Sequence, residues 1–213
     1  MSACACLAHA LKLQTDIRHG LLACASLSYA FDEADQVPLF LQEAGQWFAR
    51  FLDTNKPVSL SDHAIFLAVA LLRHDQALVH LIAGLPRERC THPSYTFDET
   101  AFLAAEFFNA LATGNDRIIL ERLERMPEAS ARSARLAPTS QTEMSSIFSI
   151  ARAIVERNAA GLDAGAQARH EVFVARFREP RIRNTPEGLL DYLGLGLLRL
   201  AAVAGVEPRF ESV

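Results

Sequence analysis

The sequence predicts an all-α protein of stacked antiparallel helix hairpins, arranged as a TPR-like or HEAT-like helical repeat or bundle. Three observations carry that expectation. Apolar residues recur at three- and four-residue spacing along nearly the whole chain, as one face of a helix requires. No stretch shows the apolar–polar alternation between turn residues that marks a half-buried strand. Two middle segments also resemble each other at a spacing suited to a two-helix repeat. With 213 residues and a hydrophobic content of 50%, the chain can bury a sizeable core. One all-helical domain over 1–213 is expected, with N-terminal helices in 1–55 and helix-hairpin repeats in 60–205.

Taken in order, the first helix is expected from about Cys4 to Tyr29, with Gly20 as a candidate break, and Phe31 to Gln36 forms an acidic loop. Pro38 opens a second helix carrying Phe40, Leu41, Trp47, Phe48, Phe51 and Leu52. Asn55-Lys56-Pro57 ends it, because proline disfavours helical geometry in the residue before it, and Ser61 is the candidate N-cap of the next helix. Thr96-Phe97-Asp98-Glu99 and Ser140-Gln141-Thr142-Glu143 each match a capping box, in which hydroxyl and carboxylate satisfy reciprocal backbone donors. Thr185-Pro186 offers a cap followed by proline at the first helical position.

Phe66-Leu67-Ala68 through Asp75 to Pro86 is similar to Phe102-Leu103-Ala104 through Asp116 to Pro127. In each copy an Asp precedes a second helix and a proline eleven residues further on is expected to end it. The copies are offset by 36 residues at the Phe and 41 at the Asp, the size of a helix-pair repeat. A third hairpin is expected from Ile147 to about Phe177, with Ala160-Gly161-Leu162-Asp163 as its turn. Leu189 to Ala204 closes the stack as the central buried helix of the C-terminal half. Its Gly194, Gly196, Ala201, Ala202 and Ala204 admit a neighbouring backbone, while Leu190, Leu193, Leu197 and Leu200 fill the space between.

Charge and cysteine content narrow the function classes. A net charge of −4, from 21 basic and 25 acidic residues, lacks the positive excess of a nucleic-acid binder. Cys4, Cys6, Cys24 and Cys90 are too few and too uneven for a disulfide framework, which points to a reducing, cytoplasmic setting. Cys4-x-Cys6 has neither the zinc spacing nor a second pair. Leu21-Leu22-Ala23-Cys24 resembles a lipoprotein cleavage site, but Asp16, Arg18 and His19 break the apolar segment such a site requires. Asp191 and Arg199 likewise interrupt Leu189 to Val206, so a buried helix is expected there and no membrane partner.

His74-Asp75, with His63, His80 and His92, is the one grouping suggestive of a metal-dependent phosphohydrolase. The repeat points elsewhere: Asn115-Asp116 stands at the equivalent position, so Asp75 reads as a helix cap. The sequence has no G-x-S-x-G elbow, phosphate loop or dinucleotide fingerprint, and Gly194-x-Gly196 lies inside an apolar helix. No catalytic, cofactor-binding or metal-ligating residue is therefore assigned. Phe97, Phe102, Phe107 and Phe108 read as a core stripe. Two charged groups are candidate partner-binding surfaces. One is the acidic loop of Asp32, Glu33 and Asp35, which as a loop on a rigid scaffold is well placed for recognition. The other is Arg176, Arg178, Arg181 and Arg183, in the basic stretch that begins at Arg169 and would also complement a helix C-terminus.

The stretches Ala64 to Pro86 and Ala101 to Pro127, with their turns Arg73-His74-Asp75 and Gly114-Asn115-Asp116, and the closing segment from Leu189 to Ala201 together resemble the immunity protein 49 family of bacterial polymorphic toxin systems. The resemblance covers about two thirds of the chain and leaves the first 55 residues unmatched. It implies an antitoxin-like protein that binds a cognate secreted toxin in the cytoplasm and blocks its active site or substrate access. It carries over no functional residues. The alternative is a TPR-like adaptor that binds a peptide or protein in a concave groove.

Overall fold

The computed structural model describes residues 3–90, 99–132, 138–178 and 190–208. Nine α-helices and no strand occur among these residues. They are α1 (Ala3–Ala30), α2 (Val37–Leu52), α3 (Leu60–Leu72), α4 (Gln76–Ala83), α5 (Glu99–Thr113), α6 (Asp116–Arg132), α7 (Pro138–Val155), α8 (Ala159–Phe177) and α9 (Tyr192–Val203). The all-α expectation holds. Helices α1 to α8 form four sequential hairpins, which touch one another through α2–α3, α4–α5 and α6–α7.

Three hairpin turns use one device. In each, a residue with positive φ ends the first helix: His74 at 57°, Gly114 at 68° and Arg157 at 51°. The next residue donates its backbone N–H back to the carbonyl of Ala70, Ala110 or Ala153, each at 2.9 Å, the Schellman closure. That same residue then caps the following helix through its side chain. Asp75 accepts from Leu78 N at 3.0 Å, Asn115 from Ile118 N at 3.3 Å, and Asn158 from Gly161 N at 3.0 Å, which satisfies a backbone donor that has no partner within the helix.

This geometry corrects the expected register by one residue. Asp75 corresponds to Asn115, whereas Asp116 is the first residue of α6. The third turn falls at Glu156-Arg157-Asn158 instead of Ala160 to Asp163. Other boundaries shift as well. Helix α1 runs unbroken through Gly20, which is exposed with nothing near its Cα to clash. Ser59 caps α3 in place of Ser61, accepting from Asp62 N at 2.9 Å. Pro127 does not end α6, which continues to Arg132, with Met126 buried against Leu103. Because α7 begins at Pro138, Glu143 lies past its first turn, where arginines engage its carboxylate in place of a capping box. Thr96 to Asp98 and Thr185-Pro186 lie outside the described residues, as do Phe97 and the side chain of Phe102.

Helix α3 is the buried axis. His63 and every residue from Ile65 to Leu71 are buried, as expected for a helix apolar on all faces. Helix α2 instead buries one stripe, Leu41, Ala44, Gly45, Phe48, Phe51 and Leu52. Arg89 holds the α2–α3 connection by donating to the carbonyls of Leu52 and Lys56, both at 3.0 Å.

Helix α9 departs from the expected arrangement. Although it closes the chain, it packs chiefly on α3 in the N-terminal half, and also on α7 and α8. A Cβ on Gly196 would lie 2.7 Å from Ala68 Cβ and 2.9 Å from its Cα, so only glycine permits this approach of the two backbones. The next nearest atom is in the Phe108 ring of α5. The buried Tyr192 hydroxyl donates to Leu22 O of α1 at 2.7 Å and lies 2.7 Å from Ser26 Oγ. The ninth helix thus packs on α3, α7 and α8, reaching α1 through Tyr192 and α5 at Gly196. Close backbone approach between distant helices is set by tertiary packing, so the local pattern revealed the greasy character of α9 but not its location.

Candidate functional site

Charged side chains divide into those paired inside the fold and those presented at its surface. Arg18 is fully buried. Its guanidinium carbon lies 4.1, 5.2 and 5.7 Å from the ring centroids of Phe51, Phe48 and Phe66, within cation–π range. Phe48 and Phe66 stack with centroids 4.1 Å apart, giving the cation an ordered aromatic wall. Arg18 Nη2 reaches Asp62 at 3.3 Å, and His19 Nε2 meets the other carboxylate oxygen at 3.0 Å. Burial pushes the Arg18 pKa below its ordinary value, and Asp62 opposes that shift.

A second buried arginine, Arg169 of α8, holds α9 in place. Its Nε and Nη2 donate to the two oxygens of Asp191, both at 2.7 Å, and its Nη1 donates to Glu143 of α7 at 3.1 Å. Asp191 also caps α9 by accepting from Gly194 N at 3.1 Å. Burial disfavours the Arg169 charge, but the hydrogen bonds and attraction of Asp191 and Glu143 outweigh it and raise its pKa. Arg176, one of the candidate partner-binding residues, donates to the same Glu143 oxygen from a half-buried position at the edge of this network. Arg178 is exposed at the C-terminal end of α8. Arg181 and Arg183 lie outside the described residues.

The histidines of the phosphohydrolase grouping have separate environments. His74 Nδ1 faces Arg199 Nη2 at 2.8 Å, and Asp75 caps α4 while lying 3.5 Å from Arg73. His63 is buried, and desolvation, opposed by a hydrogen bond to the Ile82 backbone, lowers its pKa to about 4. His92 is outside the described residues. Among the described residues, no three His, Cys, Asp or Glu side chains are grouped to hold a metal ion. Cys24 and Cys90 are free thiols, exposed and buried respectively. A cleft of about 430 Å³ lies between α4, α5 and α6; its Glu106 and Arg122 are paired with each other at 2.8 Å.

The acidic group sits at the α1–α2 tip. Asp32, Glu33 and Asp35 are all exposed. Asp32 has a φ of 62°, and the Glu33 N–H closes α1 by donating to Ser28 O at 2.7 Å. Asp35 accepts from the neighbouring Gln36 side chain at 3.1 Å. Tyr29, Phe31 and Leu39, within four residues of these acids in sequence, are likewise exposed. Sequence reasoning found the acids but missed these exposed apolar residues, as well as Arg18, Asp62, Glu143, Asp191 and Tyr192. An Asp just before an apolar run is a recognisable cap signal, so Asp191 was discoverable; the partners of Arg18, 30 to 48 residues away, were not.

No helix among the described residues is long and apolar enough to cross a membrane. No curated protein and no solved structure matches the chain significantly. The family model for immunity protein 49 matches residues 5–213, so the similarity extends into the N-terminal segment that the sequence resemblance had left unmatched. Spanning every helix from α1 to α9, this match places the chain in the immunity protein 49 family.

Proposed function

We propose that this chain neutralises a cognate secreted bacterial toxin by stoichiometric binding in the cytoplasm, blocking the toxin's active site or the approach of its substrate. The observation that carries this reading is the family match over residues 5–213. The proposal assigns the chain no catalysis of its own. The chain acts as one domain, in keeping with a hydrophobic cluster that runs from Leu22 of α1 to Val206 beyond α9. The adaptor alternative requires an open groove in the helix array, and α9 packs across that array onto α3, α7 and α8.

The reading is tested by co-expressing this chain with the product of the gene immediately upstream and following growth. Expected is lethality of that product alone, rescue by this chain, and recovery of the two proteins as one complex. Lethality that persists despite soluble expression of this chain would contradict it.

A further inference from the structure

Exposed apolar side chains are not spread evenly over the molecule. Eight large apolar residues stand exposed among the described residues, and four of them, Leu27, Tyr29, Phe31 and Leu39, fall within thirteen positions of sequence. Phe31 is 74% exposed, Tyr29 62% and Leu39 57%. Isolated exposed apolar groups need no explanation, whereas a clustered patch marks an interaction surface. Aromatic groups of this kind are enriched at interface centres, where they fill partner pockets.

The charge around the patch specifies its partner. From Gly20 to Ala49 the chain holds four acids, Asp32, Glu33, Asp35 and Glu43, and no Lys, Arg or His. This stretch alone therefore carries −4, equal to the formal charge of the whole chain. The C-terminal end of α1 and the N-terminal start of α2 meet here with opposed dipoles, so the side chains set the sign of the field. An acidic surface attracts a complementary cationic one and speeds encounter with it.

We infer that the α1–α2 tip is the docking surface for the toxin, and that it engages a cationic face of that folded domain. Phe31 and Tyr29 provide the apolar anchors and Asp32, Glu33 and Asp35 the complementary rim. A polyanion-binding enzyme has such a basic face over its substrate site, so the tip would exclude substrate by occupying it. This inference rests on the immunity reading above.

The test is calorimetric and stopped-flow binding of the full chain to an active-site-inactivated form of the domain encoded upstream. Phe31→Ala and Tyr29→Ala are expected to weaken binding at least about 10-fold each. The combined Asp32→Asn, Glu33→Gln, Asp35→Asn variant is expected to slow association on the order of 10-fold and to flatten its salt dependence. Asn suits position 32 because it tolerates positive φ. Leu120→Ala, an exposed position on α6, serves as the control and should bind as wild type does. If wild type binds and the tip variants bind within about twofold of it, the tip assignment is overturned and the immunity reading stands. Tip-dependent binding that does not weaken with salt would overturn the cationic partner. Failure of wild type to bind would overturn both readings together.

Discussion

The acids of the interior and the acids of the α1–α2 tip are the same residue types in opposite circumstances. Asp62 faces Arg18 inside an aromatic wall, and Asp191 and Glu143 enclose Arg169, from which α9 is hung. At the tip, Asp32 and Glu33 lie exposed beside equally exposed aromatic rings, in a stretch of thirty residues without a basic side chain. These interior carboxylates are partly buried against buried guanidinium groups, and removing either partner of such a pair is destabilising, so they are fixed by folding. Exposed acids bring little to stability, which leaves those of the tip available to a partner. Charge alone therefore does not identify a site; its surroundings do.

The largest expected effect lies at the interior pole of this contrast. Arg169→Ala leaves Asp191 and Glu143 without their shared cation and should lower unfolding stability by about 3–5 kcal/mol, read from urea denaturation. A loss below about 1 kcal/mol would mean that α9 is held by packing alone. Next comes the buried His63. Its folded pKa of about 4 lies below the ordinary histidine value of 6.5, so the unfolded state binds more protons between those limits and stability falls as pH drops from 6.5 toward 4. The loss should reach about 3 kcal/mol, and it should be absent from the stability–pH curve of His63→Gln across that range.

Smaller effects sharpen the comparison. Gly196→Ala drives a methyl group into Ala68 of α3 and is expected to cost about 1–3 kcal/mol despite the better helix propensity of alanine; a stabilised variant would contradict the close α3–α9 approach. Asp75→Ala and Asn115→Ala should each lose about 1 kcal/mol if both residues are caps, whereas Asp116→Ala should lose less. At the exposed pole, the Asp32→Asn, Glu33→Gln, Asp35→Asn variant should stay within about 0.5 kcal/mol of wild type in the same denaturation experiment.

What could be read in the sequence was local. Periodicity exposed the helices, and Asp75 announced a cap because the cap acts within one helical turn. The family resemblance rested on the same local features, the hairpin turns and the apolar closing segment. Pro127 misled because neighbouring packing keeps α6 intact through a residue that weakens a helix in isolation. Asp116 misled because Asn115 next to it has the same capping ability and sits directly after the left-handed Gly114. The placement of α9 and the pairing of Arg18 with Asp62 depend on contacts between distant segments, for which spacing has no signal. Of the candidate surfaces, the tip acids were readable as a charged loop, but the exposure of Tyr29, Phe31 and Leu39 beside them needed coordinates. Arg176 was readable only as a charge; that it pairs with Glu143 while staying partly exposed needed coordinates.

The most direct measurement takes the product proposed to be the cognate toxin and titrates its enzymatic activity with purified wild-type chain, at concentrations well above the dissociation constant. Stoichiometric neutralisation predicts that activity falls linearly and reaches zero at one equivalent of this chain. Loss of activity at a small fraction of an equivalent, growing with incubation time, would instead reveal catalytic inactivation, and activity undiminished at several equivalents would contradict neutralisation by binding.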